Sequence, residues 1–105
     1  MSVPSGYLAV LAVVRYAYSQ YGGDDLESLS GDMEIHPDTE QPMDPAMADD
    51  WEEALGEDQG FNALVAFLQE YVSRNQPSDA GMARFMSELG EGGSEIHRVA
   101  VDAMS

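Results

Sequence analysis

Carboxylate side chains are the residues of this chain that are best placed to do chemistry. Fourteen Asp and Glu residues lie between Asp24 and Asp58, and that stretch contains no Lys or Arg. It carries most of the formal net charge of −16, because the rest of the chain holds six acids against four arginines. Such a surface repels nucleic acids and membranes and attracts strongly basic partners. The pattern therefore indicates binding of a cationic macromolecule.

The alternative interpretation of this stretch is a solvated surface that only confers solubility. Crowded like charges destabilise the free fold by repulsion, however, and only Asp24, Asp44 and Glu27 have an expected capping role. Neutralisation by a basic partner would relieve this repulsion and accelerate association. We therefore favour a binding surface over the solvated surface.

Metal binding and catalysis have weaker support in the sequence. Two groups could offer oxygen ligands to Ca²⁺: Asp38, Glu40 and Asp44, or Asp49, Asp50 and Glu53. Neither belongs to a loop with the glycine and terminal bidentate Glu of an EF-hand. His36 and His97 lack a nearby second His, and Cys is absent, so zinc is not expected. The chain also lacks a nucleophile motif, a phosphate-binding glycine loop and any Lys. We expect no enzyme activity, metal or cofactor.

Length and composition predict one folded domain over residues 1–105. A chain of 105 residues with 44% hydrophobic residues can bury one core and is not globally disordered. The apolar run 7–14 is too short to span a membrane, and no basic residue precedes it. We expect this run to be core, and the protein to be cytoplasmic and not bound to membranes.

Apolar periodicity and capping residues predict an all-α fold, a single compact bundle of five or six short helices. The first helix should span residues 7–21 and is apolar almost all round, which is typical of a central helix or of one that presents a face to a partner. Its Val-rich start could also form a buried strand. Gly22-Gly23 should end this helix.

The acidic half of the chain, residues 24–58, should contain two further helices. Asp24 is the expected N-cap of a short second helix, with Glu27 completing a capping box. Residues 35–43 form a predicted loop, and Asp44-Pro45 should begin a third helix that ends at Gly56. Amphipathic helices are then predicted at about 60–75, 79–89 and 94–104, the last capped by Ser94.

Three strings in the first half of the chain share their order with a known family, and they share its spacing except that Ala48-Asp49-Asp50 separate Trp51 from the Asp-Pro-Ala string. They are the tyrosine-rich helix end RYAYSQY (15–21), GGDDLESLSGDM (22–33) and DPAMADDWEEAL (44–55). Together they resemble small acidic immunity proteins of bacterial contact-dependent growth inhibition systems, over about residues 7–55. The resemblance implies binding and silencing of a delivered toxin's C-terminal domain, often a nuclease.

The expected function is therefore that of an immunity protein that occludes the basic active-site or substrate-binding surface of a cognate toxin. Acids would meet Lys and Arg of the toxin, and aromatic residues would anchor the contact. The expected contact residues are Tyr16, Tyr21, Asp24, Asp25, Glu27, Asp32, Glu34, Asp49, Asp50, Trp51, Glu52 and Glu53. Trp51 fits the inner face of its helix equally well. We expect no direct binding of nucleic acid and a monomer when free.

Two other classes of function remain open at this stage. An acidic regulatory or adaptor module, for example a nucleic-acid mimic, would bind another basic protein through the same charges. An oligomeric structural protein would use the apolar first helix as its seam and would dimerise with increasing concentration.

Overall fold

Six α-helices form the regular structure of residues 6–38, 41–76 and 79–105, which are the parts of the chain described by a computed structural model. The helices are α1 (Tyr7–Tyr21), α2 (Asp24–Asp32), α3 (Pro45–Glu57), α4 (Gly60–Asn75), α5 (Ala80–Leu89) and α6 (Glu95–Met104). This confirms the all-α bundle. The strand alternative for the start of α1 is wrong, and α3 extends one residue beyond Gly56.

Helix α1 lies at the centre of the bundle and packs against α2, α5 and α6. Having neighbours on three sides explains why its sequence is apolar almost all round. Val10, Val13 and Val14 are buried, whereas Leu8 on the outer side is 59% exposed. Helix α3 packs mainly on α4, and α4 also contacts α6. The acidic helix α3 therefore lies at one side of the bundle.

Buried side chains from all six helices form one hydrophobic cluster. Trp51 of α3 is its largest member and packs edge-on against Phe67 of α4, with ring centroids 5.9 Å apart and ring planes at 85°. This geometry is favourable for aromatic pairs because the positive ring edge meets the negative ring face. The pair fixes α3 against α4, so it also fixes where the α3 acids lie.

Local capping sets the start of two helices as the sequence predicts. The Asp44 carboxylate accepts the N–H of Ala46 at 3.0 Å, with Pro45 in the first turn of α3. The Ser94 hydroxyl accepts the N–H of His97 at 3.1 Å. Each bond satisfies one of the N–H groups that a helix start leaves without an intrahelical partner.

The start of α2 differs from the expected capping box. Asp24 is the first helical residue rather than the cap, and the cap position is Gly23, which has no side chain to accept a hydrogen bond. The Asp24 N–H instead donates to the carboxylate of Asp79, which is distant in sequence, at 2.7 Å. Glu27 accepts a hydrogen bond from the Tyr18 hydroxyl at 3.0 Å. Helix α2 is therefore capped by tertiary structure.

The described residues between α2 and α3, up to 38 and from 41 onwards, contain no helix, as predicted for the loop, and an antiparallel bridge joins Ile35 and Pro42. Residues 39 and 40 of the predicted loop lie outside the described ranges. The Met43 N–H donates to the Glu34 carbonyl at 2.6 Å, and the Asp44 N–H donates to the Asp32 carbonyl at 3.3 Å. These bonds hold the end of α2 beside the start of α3.

No helix within the described ranges combines the length and the apolar character that crossing a membrane requires.

Candidate partner-binding surface

The acids at the start of α2 are partly engaged within the chain. The Asp25 carboxylate accepts the N–H of Asp79 at 2.9 Å, and Glu27 is bound by Tyr18. The Asp24 carboxylate is exposed and forms no ion pair among the described residues. Three acids in the first turn are favourable because they face the positive end of the helix dipole. Capping and the dipole therefore account for part of the charge here.

The acids at the end of α2 have two different environments. Asp32 is partly buried, and burial raises its pKa above the ordinary value, with a further contribution from the negative charge of Asp44. Glu34 is exposed and forms an ion pair with Arg15 at 2.8 Å. Glu34 is therefore neutralised within the chain, whereas Asp32 and Asp44 repel each other.

Helix α3 places its expected contact acids on the outside of the bundle. Asp49, Glu52 and Glu53 are exposed, and Asp50 is partly exposed. Both carboxylate oxygens of Asp50 lie 2.8 Å from one guanidinium nitrogen of Arg74, and this contact raises the pKa of Arg74. The carboxylates of Asp49 and Glu52 form no hydrogen bond or ion pair with any described residue. They are available to a partner.

An acidic groove runs between α3 and α4, and we call it the α3–α4 groove. Its volume is about 70 Å³, and its lining residues are Asp50, Glu53, Ala54, Glu57, Ala66, Phe67 and Glu70. The three α3 acids are at positions i, i+3 and i+7, so they share one side of the helix. The groove thus has acidic walls and an apolar floor.

Arginine neutralises little of the acidic stretch. Arg15 pairs with Glu34, and Arg74 pairs with Asp50 and with Glu70 at 3.0 Å. Arg84 pairs with Glu88, which lies outside the stretch. The other eleven described carboxylates between Asp24 and Asp58 form no salt bridge. We call the exposed members of this group on α2 and α3 the acidic surface: Asp24, Glu27, Asp49, Glu52, Glu53 and Glu57.

Trp51 does not belong to the acidic surface, which corrects its assignment as a contact residue. Its side chain is 0% exposed and packs against Phe67 and beside Gly6. A side chain in this position cannot reach a partner while the protein stays folded. Its fit to the inner face of α3, the alternative left open by the sequence, is the arrangement observed.

Tyr16 and Tyr21 lie away from the acidic stretch, at a cleft of about 190 Å³ formed by α1, α5 and α6. The Tyr16 hydroxyl donates to Glu95, and the Tyr21 hydroxyl donates to Glu88 at 3.0 Å. Arg84 stacks over the Tyr21 ring, 5.3 Å from its centroid. Burial, then the bond to Glu88, raises the pKa of Tyr21 to about 12. The hydroxyls of Tyr16 and Tyr21 therefore bind acids outside the 24–58 stretch, and their role as contact residues stays a prediction.

Tyr71 of α4 lies near acids of the 24–58 stretch, as Tyr18 does through its bond to Glu27, and neither tyrosine was among the expected contact residues. The Tyr71 side chain is partly buried, and burial raises its pKa, with the charges of Asp32 and Asp25 adding to the effect. Arg74 follows one turn later and reaches the α3 acids. The sequence shows that Tyr71 lies three residues before Arg74 on the same helix. That Tyr71 also lies near Asp32 and Asp25 of α2 becomes evident only from the three-dimensional structure.

The described residues contain no cluster of side chains that would support the alternative of a metal site. No group of three or more His, Asp or Glu residues within 6–38, 41–76 and 79–105 could hold a metal ion. Glu40, one of the possible Ca²⁺ ligands in the sequence, lies outside these ranges.

Searches against protein-family models, curated proteins and solved structures find no match to this chain.

Proposed function

We propose that this protein is an immunity protein, which binds a cognate basic toxin domain in the cytoplasm of the bacterium that makes it and blocks the toxin's active-site or substrate-binding surface. The supporting observation is the excess of carboxylates on α2 and α3 that no Arg of the described chain neutralises. The resemblance of residues 7–55 to immunity proteins is the reason for proposing a toxin as the partner. The proposed toxin is a nuclease, because exposed carboxylates can take the place of the phosphates that a nuclease site binds.

The mechanism is steric occlusion combined with charge mimicry. A nuclease cleft positions Lys and Arg for the phosphates of its substrate. Exposed carboxylates of α2 and α3, such as Asp24 and Asp49, would take the place of those phosphates, and the helical bundle would fill the cleft entrance. Because the interaction is electrostatic, it accelerates encounter and is screened by salt.

The test is to co-express the chain with the polypeptide encoded directly upstream of its gene, and to measure complex formation and protection of growth. Charge reversal of Asp49→Lys with Glu52→Lys should abolish protection and slow association, because both carboxylates are exposed and unpaired. The matched control reverses Glu91→Lys and Asp102→Lys, two exposed acids outside the stretch, for the same change in net charge.

Four outcomes bear on the class of function. Loss of protection in the first variant alone supports the proposal, as does an association rate that falls steeply with salt. Protection that survives charge reversal of the acidic surface contradicts it. Capture of the basic partner without protection of growth would instead favour the regulatory or adaptor module.

A further inference from the structure

The α3–α4 groove has the dimensions of a side-chain site rather than a small-molecule site. Its volume of about 70 Å³ is well below the roughly 300–1,000 Å³ of pockets that hold cofactors and drug-sized ligands. Its floor is formed by the apolar residues Phe67, Ala54 and Ala66. Phe67 is 2% exposed and Ala54 is 8% exposed. A bare metal ion or a small anion gains nothing from such a floor, whereas the aliphatic stem of a long basic side chain does.

The chain itself neutralises only part of the charge of the groove, since one arginine faces four carboxylates. Arg74 lies across one end, with one guanidinium nitrogen 2.8 Å from Asp50 and another 3.0 Å from Glu70. One guanidinium thus bridges an acid of α3 and an acid of α4. Arg is suited to this because its planar fork offers several donors in fixed directions. The chain therefore shows an arginine held by carboxylates of the same groove.

Glu53 and Glu57 occupy the rest of the groove without an ion pair to any described residue, although the charge of Glu53 contributes to the raised pKa of Arg74. They are one turn apart on α3, a spacing at which like charges destabilise a helix. A second guanidinium between them would remove this repulsion and repeat the contact made by Arg74. Charge complementarity and the apolar floor together select a basic side chain as occupant.

We infer that the α3–α4 groove receives one arginine side chain of the basic partner, with its guanidinium on Glu53 and Glu57 and its stem over the apolar floor; this inference rests on the proposed function for the nature of the partner. The other acids of the acidic surface then act through the long-range field. The groove supplies the one contact with defined geometry, so it sets the register in which the partner docks.

The first experiment uses the full chain and N-acetyl-arginine amide as the probe, followed by amide NMR shifts. We expect saturable shifts of residues that line the groove, such as Ala54 and Ala66, with weaker binding of N-acetyl-lysine amide and none of the neutral citrulline analogue. Shifts spread evenly over all acidic helices would overturn the inference. Equal binding of the lysine probe would overturn the selection of arginine.

Matched variants separate the groove from the general field. Glu53→Gln with Glu57→Gln should weaken probe binding on the order of fivefold, the loss expected for two exposed ion pairs. Asp49→Asn with Glu52→Gln changes the net charge equally but lies off the groove, so it should leave the shifts in place. Arg74→Gln should tighten binding, because it frees two more carboxylates. Equal effects of the two double variants would overturn the inference.

The same variants distinguish failure of the inference from failure of the proposed function. Protection of growth that survives Glu53→Gln with Glu57→Gln, but is lost on charge reversal at Asp49 and Glu52, would overturn the groove contact and leave the immunity function standing. Specific binding of the arginine probe without protection by the unmodified chain would overturn the immunity function, while the groove would remain an arginine site.

Discussion

Asp79 is bound to Asp25, and its contacts with the first turn of α2 hold the starts of two helices together. The Asp79 N–H donates to the Asp25 carboxylate at 2.9 Å, while the Asp79 carboxylate accepts the N–H of Asp24 and the N–H of Gly81, each at 2.7 Å. One carboxylate therefore caps α5 locally and α2 across the fold. Its negative charge also lies at the positive end of both helix dipoles.

Asp79→Ala should consequently destabilise the protein more than removal of an ordinary cap. The matched control is Asp44→Ala, which leaves only α3 without its side-chain cap and relieves the repulsion from Asp32, so it should lower the free energy of unfolding by no more than about 1 kcal/mol. Urea denaturation of the two variants gives the comparison. Equal losses would show that the bond to α2 contributes nothing.

The stability of the fold should change with opposite slopes on the two sides of pH 3.8. Burial, then the charge of Asp44, raises the pKa of Asp32 above 3.8, so the folded chain binds this proton more readily than the unfolded chain. Stability should therefore rise as the pH falls from neutral through the folded pKa of Asp32. Asp32→Asn should remove this part of the gain.

Below pH 3.8 the contribution of Asp79 should be lost. Hydrogen bonds from backbone N–H groups, that of Gly81 foremost, lower the pKa of Asp79 below 3.8. A depressed pKa stabilises the fold above the unfolded value, and this stabilisation disappears as the pH falls through the folded pKa. Thermal unfolding midpoints of the unmodified chain and Asp79→Asn should therefore converge in acid, and parallel curves would contradict the assignment.

Tyr7 should make the fold sensitive to alkali. Its hydroxyl donates to the Met33 carbonyl at 3.0 Å, and burial, then Asp44 and Asp32, raises its pKa from 10.0 to about 12. The stabilisation is complete below pH 10 and is lost as the pH rises towards 12. Tyr7→Phe should cost about 1–3 kcal/mol at neutral pH, because the Met33 carbonyl loses its partner. The Tyr7→Phe variant should lose less stability above pH 10 than the unmodified chain does, as followed by circular dichroism.

The helices and two of their caps could be predicted because their causes are local. Asp44 and Ser94 each bind an N–H two or three residues ahead, and apolar periodicity needs only a few turns of sequence. The cap of α2 could not be predicted, since its acceptor, Asp79, is 55 residues away. Helix propensity and capping patterns depend on neighbouring residues, so they do not predict a contact between residues that are distant in sequence.

The candidate site was only partly predictable for the same reason. The exposure of Asp49 and Glu52 follows from the apolar stripe on the other side of α3. The partners of Tyr16 and Tyr21, by contrast, are 79 and 67 residues away, so their position beside α5 and α6 was not visible in the sequence. Trp51 could face either way until its packing on Phe67 was known.

Trp51 should report on folding and not on partner binding. It is the single tryptophan and is fully buried, so its emission should be blue-shifted and poorly quenched by acrylamide until the chain unfolds. Trp51→Ala should cost about 3–5 kcal/mol by leaving a cavity in the core. Quenching of the folded protein to the level of the unfolded chain would contradict the burial.

Two glycines should respond in opposite ways to alanine, which tests the close approach of α5 to the end of α1. A Cβ at Gly81 would collide with the Gly22 carbonyl, which is backbone and cannot rotate away. Gly81→Ala should therefore destabilise the fold by about 1–3 kcal/mol, as overpacking does. Gly31 lies in α2 with open space at its Cβ position, so Gly31→Ala should stabilise the fold by about 0.5–1 kcal/mol through helix propensity. Denaturant titrations of both variants give the comparison, and a neutral Gly81→Ala would mean that the Gly22 turn and α5 are not in contact.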